Sequence, residues 1–231
     1  MQLIFLVLII CFFVFLYILY YVSHDDFVIV RKDIPLEKIF NAAFLTGFVS
    51  LFSARVLFAI LNKNPQFFNP LVFFAFPYFP GLSLTGGLVG GLLFIYFYAS
   101  YKKMPVGKIV DLFVISFIGV LPIGFILTFL LLLSETSFFY NIMFIVSLII
   151  FLLFGKIILP FSLKGEIKDG SLGLIFTAIF SFSYFCVKLF LNIRTFSFVD
   201  LENITLLLTL FSSLVILLNR EILDKFLTKN E

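Results

Sequence analysis

Seven long apolar runs, separated by short breaks rich in charge, proline and glycine, set the pattern of the chain. They cover about 3–22, 39–61, 84–100, 109–133, 138–160, 171–193 and 203–219. Each is long enough to cross a hydrocarbon core of about 30 Å as a helix. Their continuity excludes barrel strands, which would show a weaker period-2 alternation. Residues 71–80 are apolar and aromatic, but Pro77 and Pro80 interrupt them and they are too short to cross. They are expected to form a re-entrant or interfacial segment feeding the third run. Pro35 falls near the start of the second helix, where its missing N–H is harmless. Gly119, Pro122 and Gly124 predict a kink in the fourth.

Composition then fixes the solvent. Of the 231 residues 62% are hydrophobic and only 13% charged, with a mean hydropathy of +1.21. A water-soluble domain cannot hide that much apolar surface, so the expected class is an all-α integral membrane protein with seven transmembrane helices. No internal repeat or low-complexity linker divides the runs, and residues 1–231 read as a single polytopic domain. The formal net charge of +3 is too small and too dispersed to suggest a nucleic-acid partner. Its distribution says more. No Lys or Arg precedes Arg31 and no small-residue cleavage site follows the first run, so that run is read as a retained span with the N-terminus outside. On that assignment the inner segments hold twelve Lys and Arg residues, and the outer loops only Lys63 and Arg194. The positive-inside rule is satisfied, and the C-terminus is placed in the cytoplasm.

Candidate chemistry is sparse. Cys11 and Cys186 lie inside apolar runs as small hydrophobes, and His24 sits in a loop beside Asp25 and Asp26. No metal-ligand spacing and no cofactor motif is present, so no metal and no cofactor is expected. Three charged groups are read at membrane depth, Arg55, Asp111 and Lys188, with Lys156 counted to the inner end of the fifth run. Each costs at least about 2.5 kcal/mol at mid-bilayer and needs a reason to be there. In the expected topology Arg55 and Lys188 both lie toward the outer leaflet. The stretch Gly81-Leu82-Ser83-Leu84-Thr85-Gly86-Gly87-Leu88-Val89-Gly90-Gly91 enters the third span from the same side. Two cations and free backbone N–H groups would there suit a phosphate or another anionic head group. The plainer alternative is that both cations snorkel to the interface. Asp111, at the inner end, reads as a structural acid at a helix N-terminus or beside Lys108. The glycines also have a packing reading, since Gly86 with Gly90 and Gly87 with Gly91 are GxxxG pairs. Tyr184, Lys188 and Asn192 fall four apart and form a polar row that should face the bundle.

With these residues the chain resembles the prolipoprotein diacylglyceryl transferases, seven-span enzymes of the bacterial inner membrane. Ser53-Ala54-Arg55-Val56-Leu57-Phe58 is similar to that family's Gly-Ala-Arg-Leu-like segment, and Gly81 to Gly91 to its Gly-Leu-Ser-Phe-His-Gly-Gly-Leu-Ile-Gly-Gly. Asp111 resembles the aspartate opening its next span. Tyr184, Lys188 and Asn192 resemble its late row of tyrosine, arginine and acid. Thr85 stands at the place of the family's histidine, and Gly119 to Ile126 at the place of its Gly-Arg-x-Gly-Asn-Phe-x-Asn-Gly-Glu signature. The resemblance implies transfer of diacylglycerol from phosphatidylglycerol to the lipobox cysteine thiol of a lipoprotein precursor. It implies catalytic roles for Tyr184 and Thr85, and substrate binding by Arg55, Lys188, Gly81, Gly86 and Gly87. The implied partners are phosphatidylglycerol or another anionic phospholipid and the precursor's signal peptide. Two other readings stand beside it: a catalytically silent member that holds anionic lipid, and a small transporter, suggested by the segment at 71–80 and the fourth span.

Overall fold

The computed structural model describes residues 2–62, 67, 69–74, 81–131, 137–164, 166–191 and 200–223, and among these there is no strand. Among the described residues seven helices are long and apolar enough to cross a membrane: Ile4–His24, Leu36–Asn62, Leu84–Tyr101, Val106–Leu131, Phe138–Ser162, Ser171–Leu191 and Leu201–Glu221. They fall on the seven apolar runs, and the protein is a multi-pass α-helical membrane protein. The chain forms two compact units, residues 1–104 and 105–231.

The first unit contains α1 (Gln2–His24), α2 (Phe27–Arg31), α3 (Leu36–Asn62), α4 (Pro70–Phe74) and α5 (Leu84–Tyr101). The break at 23–38 holds a short helix that hydrophobic patterning does not signal. Asp26 caps α2, its carboxylate accepting from Val28 N–H at 3.0 Å and Ile29 N–H at 3.2 Å. Of the expected re-entrant or interfacial segment, α4 is the described part, and residues 75–80 lie outside the described residues. The glycines of α5 settle against a stripe of small residues on α3. A Cβ on Gly86 would stand 2.7 Å from Leu57 Cβ and 2.9 Å from the Ser53 carbonyl oxygen. A Cβ on Gly90 would collide with the Ser53 side chain, and one on Gly87 would reach Ser50 Oγ at 3.3 Å. Ser50 Oγ in turn donates to the Gly87 carbonyl at 2.7 Å. Small residues facing each other let two backbones approach where hydrocarbon supplies no hydrophobic drive between helices. The glycines of the GxxxG pairs thus pack against α3.

The second unit contains α6 (Val106–Leu131), α7 (Ser137–Leu153), α8 (Leu159–Leu163), α9 (Ser171–Leu191) and α10 (Leu201–Leu218). Helix α6 runs unbroken through Pro122. Between α7 and α8 the helix widens to a π-turn at Phe154–Ile158, where Leu159 N–H reaches back to the Phe154 carbonyl. Pro160 follows at once. A proline ring crowds the carbonyl four residues back and removes one ladder bond, and a widened turn relieves the crowding. A second π-turn, Asn219–Leu223, ends α10. Helices α9 and α10 pack antiparallel, and three polar contacts mark their register. Ser171 Oγ meets Glu221 Oε1 at 2.5 Å, Ser181 Oγ meets Thr209 Oγ1 at 3.0 Å, and Lys188 Nζ meets Glu202 Oε2 at 2.5 Å.

Candidate functional site

Arg55 is fully buried on α3, with no solvent exposure. Its guanidinium fork donates to three backbone carbonyls: Nε to Phe73 at 3.2 Å, Nη1 to Gly81 at 2.8 Å and Nη2 to Val72 at 3.0 Å. The rings of Phe58 and Phe67 lie 5.7 and 5.2 Å from its Cζ. Val72 and Phe73 belong to a five-residue helix, and a helix cannot pair its last four carbonyls within itself. In hydrocarbon an unsatisfied carbonyl costs several kcal/mol, and a planar five-donor cation can serve several at once. Arg55 thus fastens the segment that leads into α5, which is more than snorkelling.

The mouth of α5 is built beside it. Ser83 N–H donates to the Ala54 carbonyl at 3.0 Å, and Ser83 Oγ accepts from Gly86 N–H at 3.3 Å as the helix cap. Gly81 has φ of +150°, a conformation that favours glycine, and the Phe58 ring occupies the space a side chain would need. Thr85 is buried in the first turn of α5. Gly86 and Gly87, expected to touch substrate, face α3 in the packing described above. Of the expected residues, Arg55 and Gly81 are in direct contact.

The second unit brings together Tyr184 and Lys188, and adds a residue that sequence reasoning missed. Lys188 Nζ lies 2.5 Å from Glu202 Oε2, and Tyr184 Oη donates to Glu202 Oε1 at 3.5 Å. Tyr184 is buried, and the rings of Phe139 and Phe180 stand 5.6 and 5.9 Å from its own. The side chains of Lys188 and Glu202 are only 16% and 24% exposed, so the pair sits between helices rather than on a wet surface. Asn192, the last member of the polar row, lies outside the described residues. Glu202 escaped notice because the stretch 195–202 reads as a link between spans. A cation inside a span does call for an acid nearby, and Asp200 and Glu202 flank the next helix.

Asp111 has a structural role at the other end of α9. Its Oδ2 accepts from Gly170 N–H at 2.6 Å and its Oδ1 from Gly173 N–H at 3.1 Å, so it caps a helix other than its own. Gly170 has φ of +94°. Gly107 packs against the Asp169 carbonyl too closely for any side chain. Lys168 Nζ donates to the Arg220 carbonyl at 2.6 Å, Lys168 N–H to Glu221 Oε1 at 3.0 Å, and Arg220 to the Asp169 carbonyl. The start of α9 is thereby bound to the end of α10. Among the described residues no group of His, Cys, Asp and Glu is arranged to hold a metal ion.

Membrane-spanning helices that carry a buried arginine and a half-buried lysine on polar partners define a polytopic membrane protein with polar centres among its helices. The model of the prolipoprotein diacylglyceryl transferase family matches residues 5–130, more than half of the chain, and the chain belongs to that family. No curated protein matches it. The matched segment takes in Arg55, Gly81 to Gly91 and Asp111, while Tyr184, Lys188 and Glu202 lie beyond it. The family places the chain among the membrane transferases of lipoprotein biosynthesis, which act on lipoprotein precursors and lipid.

Proposed function

We propose that the chain moves diacylglycerol from phosphatidylglycerol, or another anionic phospholipid, to the lipobox cysteine thiol in the signal peptide of a lipoprotein precursor. It would do so in a bacterial plasma membrane, with its N-terminus outside and its C-terminus in the cytoplasm. The observation that carries this reading is the family match over 5–130, which includes the buried Arg55 and the glycine mouth of α5. In the reaction the thiolate attacks the glyceryl carbon, the bond from that carbon to the phosphate oxygen breaks, and glycerol phosphate leaves. The thiol proton ends on the departing phosphate. Such a step needs a cation at the phosphate and a group near the thiol to pass its proton. Lys188 supplies the cation on this reading, because its ammonium is held by a side chain, whereas Arg55 donates to three backbone carbonyls. In the first unit Arg55 and Gly81 shape the mouth of α5 and Thr85 offers a hydroxyl in its first turn; in the second, Tyr184 helps to hold the charged pair.

A second reading is favoured by Thr85 itself: a member that binds anionic lipid and does not transfer it. A threonine hydroxyl at the place of the family's histidine is a far weaker proton acceptor than an imidazole. Expression in a transferase-depleted bacterial strain separates the two. Rescue of growth, lost in Lys188→Ala, supports transfer. No rescue, with phosphatidylglycerol retained on the purified protein by native mass spectrometry, supports the silent binder.

A further inference from the structure

Three carboxylates of the second unit have partners of different kinds. Asp111 accepts two backbone N–H groups at the start of α9. Glu221 accepts the Lys168 N–H and the Ser171 hydroxyl, which bind the start of α9 to the end of α10. Glu202 instead accepts from an ammonium and a phenol, Lys188 and Tyr184. The first two close helix ends. The third is bound to a lysine that lies inside a span.

We propose that Glu202 is a positioning residue for Lys188: reaching across from α10, it fixes the ammonium where the phosphate of an anionic phospholipid is met. This rests on the transferase reading. Glu202 lies in the first turn of α10, where the helix dipole favours a carboxylate, and the Tyr184 hydroxyl holds its other oxygen. The helix dipole and the Tyr184 hydroxyl thus both act on the carboxylate besides Lys188. Lysine has a long, flexible stem and would snorkel away from an apolar seam if nothing held it. An ammonium has three N–H donors, so one Lys side chain can bind a carboxylate oxygen and a phosphate oxygen together. The α9–α10 register does not depend on this pair, because Ser181 with Thr209 and Ser171 with Glu221 mark it independently. A staple is thus not the reason for an ion pair at this level.

The test uses the full chain in nanodiscs of mixed phosphatidylglycerol and phosphatidylethanolamine. It measures transfer to a lipobox peptide, the retained lipids by native mass spectrometry, and the thermal unfolding midpoint. Glu202→Gln should lower kcat about tenfold while KM for phosphatidylglycerol changes less than about twofold, because a loosened ammonium still meets the head group but not the leaving oxygen. Glu202→Asp, which keeps the charge, should recover most of the loss. The exchange Lys188→Glu with Glu202→Lys keeps an ion pair but sets it against both helix dipoles, so it should unfold somewhat below the wild-type midpoint and transfer as poorly as Glu202→Gln. Wild-type kcat in the exchanged protein, or a Glu202→Gln kcat equal to wild type per folded molecule, would overturn the proposal. If the wild-type chain transfers nothing, the transferase reading fails, and lipid retention decides the proposal alone. Loss of the preference for phosphatidylglycerol in the exchanged protein then supports it, and an unchanged preference overturns it.

Discussion

Arg55 and Gly86 both act on the join between α3 and the start of α5, and substitution should damage them in different ways. A methyl at Gly86 meets Leu57 Cβ at 2.7 Å and a backbone oxygen at 2.9 Å, and the backbone cannot step aside. Gly86→Ala should therefore cost about 1–3 kcal/mol through overpacking. Gly155→Ala, with nothing within 4 Å of the new carbon, should stay within about 0.5 kcal/mol. Thermal unfolding of the two variants in one detergent gives the comparison, and equal losses would contradict the packing account. Arg55→Lys keeps a charge but loses the fork that reaches Val72, Phe73 and Gly81 together. It should cost about 2–4 kcal/mol, with hydrogen exchange rising first at Phe73 and at the start of α5. Exchange rising uniformly over α3 instead would show that Arg55 supports the whole helix. That Arg55 needs partners at bilayer depth is legible in the sequence, since its charge lies inside an apolar run. Which partners it finds is not, because three backbone carbonyls leave no trace in residue identity.

At the level of elements, the seven spans and the start of α5 at Leu84 follow from run length and from Ser83 ahead of the glycines. The finer features come from contacts between residues far apart in the chain. Asp111 caps α9 rather than its own helix, 59 residues away at Gly170, so its carboxylate reads from sequence only as some structural acid. Asn at 111 would offer a single oxygen to two N–H donors and turn an amide N–H toward one of them. Asp111→Asn should cost about 1–2 kcal/mol and raise exchange at Gly170 and Gly173 before the middle of α9. Protection lost first in the middle of α9 would refute the cap. The pairing of α9 with α10 was hidden for a similar reason. Ser181, Thr209 and Glu202 are each unremarkable alone, and only the antiparallel register aligns them. A double-mutant cycle of Ser181→Ala and Thr209→Val should return about 0.6 kcal/mol, the usual value for a hydrogen bond between membrane helices. A coupling of zero would remove that rung. The π-turn at Phe154–Ile158 had one available signal, Pro160 just beyond it.

On the scale of the molecule, charge asymmetry and family membership bear on different questions. The excess of Lys and Arg in alternate breaks predicts that a reporter fused after Lys103 is cytoplasmic and one fused after Asn62 is not. The reverse result would turn the chain over in the membrane and move the mouth of α5 to the other face. Membership over 5–130 covers the helices that carry Arg55 and the glycines, and says nothing of Tyr184, Lys188 and Glu202, which only the structure assembles. The central claim, transfer of diacylglycerol to a lipobox thiol, joins the two. The direct measurement is incubation of the purified chain with phosphatidylglycerol and a lipobox peptide, followed by mass spectrometry of the peptide. The expected product is a peptide heavier by one diacylglyceryl group, with glycerol phosphate released in equal amount and both products lost in Lys188→Ala. An unmodified peptide, from a folded chain that still retains phosphatidylglycerol, would contradict it.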